Sequence, residues 1–259
     1  MENPIKFKNN SNLILAGILN SPVESSNAGI ILLHGFAGNK EENGLFPYAA
    51  NILSANGYHT LRFDFAGVGE SQGDYSKSTL NSQKEDFISS LDFFVKKCHL
   101  SRVGVVGFSL GATIALLGYE KKIKAMALWS PALFPKKDMF PRYQTNEFKR
   151  HLKGYGYINK GGLKVGSEII DDLGKCDLIP FIRRVECEVL LIHGDRDERI
   201  NYKSTLRAER KFLKAQTYII KNSGHSYKES YLVKEEVLNK TIELFNRNIL
   251  HKVPAKNLV

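Results

Sequence analysis

The chain has 259 residues, 42% of them hydrophobic and 25% charged, a balance that excludes disorder, coiled coil and collagen-like repeats. At this length one large domain or two small ones are expected, with enough buried surface to stay folded without disulfides. Lys and Arg number 37 against 27 Asp and Glu, a net charge of +10, which bears on association and solubility rather than on fold.

Ile5–Phe7 and Leu13–Leu19 read as a strand pair around the polar turn Asn9–Asn12. Gly29–Leu33 is a continuous apolar run, the pattern of a strand buried on both faces. Thr60–Phe63, Val103–Val106, Met126–Trp129 and Val189–Ile192 repeat it, and Thr217–Ile220 is a shorter version. Between them, Phe87, Leu91, Phe94 and Val95 recur at helical spacing, and Tyr231, Val237, Ile242, Phe245 and Ile249 mark a closing helix that should dock on the sheet. Strands alternating with helices predict an α/β fold with a mostly parallel sheet.

The rhythm breaks once. From Pro131 to about Arg184 the buried-strand pattern gives way to Pro135, Pro141, paired lysines, aromatics and the Gly-rich GYGYINKGGLKVG. About 50 residues is too long for an ordinary loop, so the segment is expected to be an inserted cap. The expected division is 1–130 for the first part of the core, 131–184 for the cap and 185–259 for the second part of the core. No run of about 18 apolar residues predicts a transmembrane helix, and MENPIKFKNNSNL lacks the apolar stretch of a signal peptide. Cys98, Cys176 and Cys187 are scattered and form no CxxC pair. That argues against a disulfide framework or zinc cluster and for a reducing, cytoplasmic setting.

Gly107-Phe108-Ser109-Leu110-Gly111 falls between the run RVGVV and the helical ATIALLGY, the strand–turn–helix context of a nucleophile elbow. A sharp turn there would strain Ser109, let the flanking glycines bring backbone close, and set the hydroxyl at a positive helix end. A serine nucleophile needs a base, and the base an orienting acid. Of seven histidines, His225 in Asn222-Ser223-Gly224-His225-Ser226 sits in a polar loop after the last strand and is the expected base. His59 and His99 read as solvated, His151 lies among lysines and His251 in the tail, while His34 and His193, ending strands in LLHG and LIHG, read as structural. The acid is expected from Gly194-Asp195-Arg196-Asp197; Asp197 is preferred because it lies further into the loop, although spacing alone does not settle it against Asp195.

These stretches resemble an α/β-hydrolase of the serine esterase type, with Ser109, Asp197 and His225 in the chain order of that fold. Within it the chain resembles the cinnamoyl/feruloyl esterase group and its monoglyceride-lipase-like relatives. The matching segments are LLHGFAGNKEE, LRFDFAGVGESQG, GFSLGA, GYINKGG with DDL, LIHGDRDERI and NSGHSY, which together span nearly the whole chain, cap included. The resemblance implies an α/β-hydrolase fold, a mostly parallel central sheet flanked by helices with an inserted cap. Its G-x-x-D pattern places the acid at Asp197, and it assigns the oxyanion hole to the backbone N–H groups of Phe36 and Leu110. One departure stands out: Ala66 and Val68 replace the family's usual arginine and polar residue in DxRGxGxS. That loop is read as structural, and its departure puts an inherited substrate in doubt.

Between Pro131 and Val165 eight Lys/Arg face only Asp138 and Glu147, so +6 of the net +10 lies in the expected cap. An electropositive entrance would steer an anionic substrate or an acidic acyl carrier, with Lys136, Lys137, Lys149 and Arg150 the residues to replace in testing it. Phe134, Phe140 and Tyr143 are candidates for lining a substrate pocket, or equally for the cap's own core. The expected activity is cleavage of a small carboxylic ester through an acyl-enzyme, with aryl and hydroxycinnamoyl esters as candidate substrates. The alternatives are a thioesterase or acyltransferase using acyl-CoA or a carrier-bound acyl group, and a non-catalytic binding protein of the same fold. No metal or organic cofactor, no nucleic-acid partner and no membrane are implied, and a monomer or homodimer is expected.

Overall fold

The computed structural model describes residues 2–250. It opens with an antiparallel pair, β1 (Glu2–Lys8) and β2 (Ile14–Asn20). Asn9 closes the turn between them, its Oδ1 accepting the N–H groups of Ser11 and Leu13 at 3.0 and 2.9 Å, as short polar side chains do in turns. There follow β3 (Ala28–Leu33), α1 (Leu45–Ala55), β4 (His59–Phe63), α2 (Leu80–Lys97), β5 (Arg102–Phe108), α3 (Leu110–Leu117) and β6 (Ile123–Trp129). The next stretch carries α4 (Pro135–Asp138), α5 (Asn146–Tyr155), the strands β7 (Tyr157–Lys160) and β8 (Leu163–Gly166), α6 (Ser167–Lys175) and α7 (Ile179–Ile182). The chain then returns to the sheet through β9 (Glu188–Gly194), α8 (Tyr202–Glu209), β10 (Ala215–Ile220) and α9 (Tyr231–Phe245).

Eight strands form one sheet in the order β1-β2-β4-β3-β5-β6-β9-β10. From β4 to β10 every pairing is parallel, and β2 runs antiparallel to both its neighbours. All six residues of β3 are buried, as a strand covered by helices on both faces requires. The fold is that of the α/β-hydrolases. One face of the sheet packs against Phe87, Leu91 and Phe94 of α2 and Ile114 of α3. The other packs against Phe46 of α1 and Val237, Leu244 and Phe245 of α9. Helix α2 is started by a reciprocal cap, Thr79 Oγ1 accepting Ser82 N–H and Ser82 Oγ accepting Thr79 N–H, both at 2.9 Å.

Two details differ from the sequence pattern. The stripe of α9 starts at Val233, half-buried against the α1 layer, because Tyr231 in the first turn is 59% exposed and lies against the ring of Tyr48. The second is the β7–β8 hairpin, which no buried-strand pattern announces: four-residue strands with alternating exposure carry no apolar run. Its turn uses Gly161 and Gly162 at φ of 59° and 86°, conformations open to glycine. The hairpin presses on the 75–77 turn so closely that a Cβ on Gly166 would collide with the carbonyl oxygen of Ser76. Met139, Tyr143, Ile158, Val165 and Leu173 of this inserted stretch join the same apolar cluster as α2 and α3, which seats the hairpin firmly beside the carboxyl ends of the strands. Among the described residues no helix is long and apolar enough to cross a membrane.

Candidate active site

Strand β5 ends at Phe108 and α3 begins at Leu110, leaving Ser109 between them at φ 53°, ψ −113°. A non-glycine residue keeps such a conformation only where its surroundings impose it. Here the Ser109 N–H donates to Trp129 O at 2.9 Å, and its carbonyl accepts from Ala112 and Ala132 N–H at 3.2 and 3.1 Å. Both glycines of the motif are sterically required. A Cβ on Gly107 would lie 2.8 Å from Ala112 Cα, and one on Gly111 would strike the carbonyl oxygen of Leu33.

The loop after β10 brings His225 to Ser109, with His225 Nε2 3.0 Å from Ser109 Oγ. The loop after β9 brings Asp197, whose Oδ2 lies 2.7 Å from His225 Nδ1. Its Oδ1 accepts the N–H groups of Arg199 and Ile200 at 2.7 and 2.9 Å. Asp195 takes no part: its Oδ1 is buried and has no hydrogen-bond partner among the described residues. Burial by itself would raise the Asp197 carboxyl, but hydrogen bonds from His193 and His225 hold it well below the usual carboxylate range. Burial also lowers His225 against the opposing pull of Asp197, which favours the neutral imidazole, with Nε2 facing Ser109 Oγ.

The His225 loop is fixed from below. Ser130 Oγ lies 2.8 Å from His225 O and 2.9 Å from Tyr227 Oη, and Tyr227 Oη donates to Ile192 O at 2.9 Å. This buried network links the ends of β6 and β9 to the loop after β10. Glu229 holds the loop's other side through Gly224 N–H and Ser223 Oγ.

His193 and His34 both have their ring nitrogens satisfied. His34 donates from Nδ1 to Gly35 O and accepts Phe65 N–H at Nε2; burial pushes its pKa down to about 4. His193 is closer to the chemistry than its strand-end position suggested. Its Nε2 lies 2.9 Å from Asp197 Oδ2 and 3.0 Å from Ile200 O, with Thr205 Oγ1 at 2.7 Å from Nδ1. The donor therefore sits on Nε2, and the Asp197 carboxylate is held by two imidazoles. His251 lies outside the described residues.

Ser109 and His225 open into a cavity of about 310 Å³, lined also by Phe36, Glu42, Met139, Arg142, Tyr143, Lys160, Arg199 and Lys228. A larger depression of about 1030 Å³ lies at the opposite, amino ends of β3–β5 and contains neither residue. The Phe36 N–H stands in the loop after β3. The Leu110 N–H is in the first turn of α3, where helical N–H groups have no intrahelical acceptor. Tyr143 lines the cavity, but Phe134 and Phe140 do not. Both pack onto the main apolar cluster, and the Phe140 ring lies against Gly174 of α6. Of the eight basic residues between 131 and 165, only Arg142 and Lys160 line the cavity. Lys136 and Lys137 are exposed on α4, and Lys149 and Arg150 line a separate groove on α5.

Glu42, Arg199, Lys228 and the link from His193 to Asp197 carried no motif of their own in the sequence. The signal nearest to them was adjacency, since Arg199 follows Asp197 by two residues and Lys228 follows His225 by three. The Asp64 loop, where the sequence departs from DxRGxGxS, is built around a buried carboxylate. Asp64 accepts Lys40 N–H, Lys40 Nζ and Glu70 N–H at 2.7, 2.8 and 3.0 Å. Among the described residues no cluster of His, Cys, Asp and Glu is arranged to hold a metal ion.

Comparison with known proteins agrees with this architecture. An uncharacterized 31.7 kDa protein of the traX-finO intergenic region of Escherichia coli is 32% identical over 123 residues, 47% of this chain and 42% of that protein. The chain thus matches about two fifths of that relative's length. The mitochondrial palmitoyl-protein thioesterase ABHD10 of Bos taurus is 24% identical over 220 residues, 80% of this chain and 70% of that protein. Among solved structures, Est1E from Butyrivibrio proteoclasticus with ferulic acid bound superposes with a TM-score of 0.80 at 22% identity, over 93% of this chain and 99% of that one. Mouse ABHD10 superposes with a TM-score of 0.74 at 18% identity, over 95% and 99%; at these identities the likeness concerns the fold. The family model described as serine aminopeptidase, S33 matches residues 24–158, more than half of the chain, and the chain belongs to that family of α/β-hydrolases.

Proposed function

We propose that the protein is a serine hydrolase that cleaves carboxylic esters through an acyl-enzyme, and that residues 131–184 act as a cap over the site between core segments 1–130 and 185–259. The observation that carries this reading is the chain of contacts Ser109 Oγ–His225 Nε2 at 3.0 Å and His225 Nδ1–Asp197 Oδ2 at 2.7 Å. Ser109 Oγ attacks the ester carbonyl as its proton passes to His225 Nε2. The oxyanion is received by the Phe36 and Leu110 N–H groups, each worth a few kcal/mol, or roughly 10²–10³ in rate. Collapse of the tetrahedral intermediate breaks the bond to the leaving oxygen, which takes the proton from His225. Water, deprotonated by His225, then attacks the acyl carbonyl and returns Ser109 to its free state. Asp197 orients the imidazole, and His193 in turn positions Asp197.

An aryl or hydroxycinnamoyl ester is one substrate class in keeping with the ferulic acid held by Est1E. A thioester reading is favoured by one specific observation: ABHD10, named a palmitoyl-protein thioesterase, aligns over 80% of the chain. Peptide amino termini are disfavoured in spite of the family's description. Arg142, Lys160, Arg199 and Lys228 line the cavity against one carboxyl, Glu42, and would repel an α-ammonium group.

The test is a chromogenic panel of acetate, longer acyl and hydroxycinnamoyl esters, alongside acyl thioesters. Wild type should turn over at least one oxygen ester, and Ser109→Ala should lower kcat by about 10⁴-fold or more. Activity that survives Ser109→Ala refutes the nucleophile. Cleavage of thioesters alone selects the second reading.

A further inference from the structure

Lys160 is a half-buried cation that has no counter-ion among the described residues. It ends β7, and the hairpin carries its ammonium to 4.6 Å from the centre of the Phe36 ring and 5.4 Å from that of Tyr143. Among the described residues its one hydrogen bond goes to Tyr143 Oη at 2.8 Å, which leaves two N–H donors of the ammonium without a partner there. Burial, together with the guanidiniums of Arg199 and Arg142, pushes its pKa down to about 8. Among the described residues, the two cations buried more deeply than Lys160 are handled differently. Lys40 is paired with Asp64 and Glu70, and Arg62 with Glu2 and Glu41.

The same cavity is lined by Arg142, Arg199 and Lys228, and among the described residues none of these forms an ion pair. Among the described residues Glu42 is the single carboxyl lining the cavity. Its Oε1 is engaged by Gly35 N–H at 2.6 Å, and burial pushes its pKa up to about 7, so it offsets at most one of four positive charges. A desolvated ammonium is costly unless an anion meets it, and here the open face looks into the cavity that holds Ser109. At about 310 Å³ that cavity is near the small end for ligand sites. The anion and the scissile carbonyl therefore belong to one compact molecule.

We propose that Lys160, with Arg142 and Arg199, forms an anion subsite of the catalytic cavity, and that the substrate is a small ester carrying a carboxylate or phosphate group close to the scissile carbonyl. This rests on the ester-hydrolase reading above and adds the substrate class. Arg supplies a planar fork that matches either anion, and Lys160 a point charge stacked on the ring of the residue whose N–H faces the oxyanion.

The test compares kcat/KM for para-carboxyphenyl, para-phosphonomethylphenyl and para-carbamoylphenyl butanoate. The para-nitrophenyl monoester of adipic acid and its terminal amide place the charge on the acyl side instead. In wild type, at least one charged ester should exceed its neutral amide by about tenfold or more, and the arm that does so identifies carboxylate or phosphate and the side it occupies. That ratio should fall towards one in Lys160→Met and Arg142→Gln. It should be kept in Lys160→Arg and in Lys149→Gln on the remote α5 surface.

A ratio near one for every pair in wild type overturns the proposal. So does an equal loss in Lys149→Gln, which would mean a diffuse surface field. If wild type cleaves no ester, the hydrolase reading fails separately, and the subsite is read by calorimetric binding of adipate and para-hydroxybenzoate to Ser109→Ala. Binding that disappears on adding Lys160→Met supports the subsite, and absence of binding refutes it.

Discussion

Glu42 enters the cavity from a backbone at φ 40°, a conformation glutamate rarely adopts, with Asn43 beside it at φ 53°, which asparagine tolerates. Its Oε1 accepts Gly35 N–H at 2.6 Å, which ties the carboxyl to the peptide between His34 and Gly35. Burial raises its carboxyl from 4.5 to about 7, so the folded state binds this proton more tightly than the unfolded chain. Its contribution to stability is present at pH below the unfolded value and is lost as pH rises through the folded one. Glu42→Gln keeps an acceptor for Gly35 N–H and removes the titration. The variant should gain on wild type between about pH 5 and pH 8, by up to about 3 kcal/mol. Urea denaturation at the two pH values reads this directly, and a difference independent of pH would refute the buried-carboxyl account.

At the scale of elements, the site depends on how closely α3 approaches β3. A Cβ on Gly111 would meet the carbonyl oxygens of Leu33 and His34, backbone atoms that cannot swing aside. Gly111→Ala should therefore push the start of α3 away from β3, moving Leu110 N–H with it. About 1–3 kcal/mol of stability should be lost, with a fall in kcat larger than any change in KM. Gly154 in α5 is the contrast, since an added Cβ there meets nothing within 4 Å. Gly154→Ala should raise stability by about 0.5–1 kcal/mol through the unfolded chain's lost freedom. Thermal melts of the two variants test both signs together.

Over the whole molecule, one sheet serves two apolar layers that share no helix. Phe94 on one face and Phe245 on the other are both fully buried. Truncating either to alanine should cost about 3–5 kcal/mol. The melt should stay a single transition in both variants, since neither layer keeps its shape without the sheet between them. Two resolved calorimetric transitions would show that the layers unfold separately. The inserted stretch shares the α2/α3 layer, so Phe94→Ala should also loosen the β7–β8 hairpin and with it Lys160.

The sequence alone determined the local elements. Apolar runs placed all eight strands of the main sheet to within a few residues, and the Gly107–Gly111 motif placed Ser109 at a strand–helix turn, because periodicity and steric turn requirements are properties of short segments. Position after a strand also singled out His225. Between Asp195 and Asp197 the local sequence was nearly neutral. In the folded loop Arg199 and Ile200 N–H take one oxygen of Asp197, and the other lies 2.7 Å from His225 Nδ1. The cavity was legible only in three dimensions. Glu42, Arg142, Lys160, Arg199 and Lys228 come from five separate segments, and the hairpin that delivers Lys160 has no apolar run to announce it. Charge counting found the basic insert but chose its solvated lysines, because a count carries no direction. Which charges face the nucleophile is set by packing between residues distant in the chain, and only the tertiary structure brings those together.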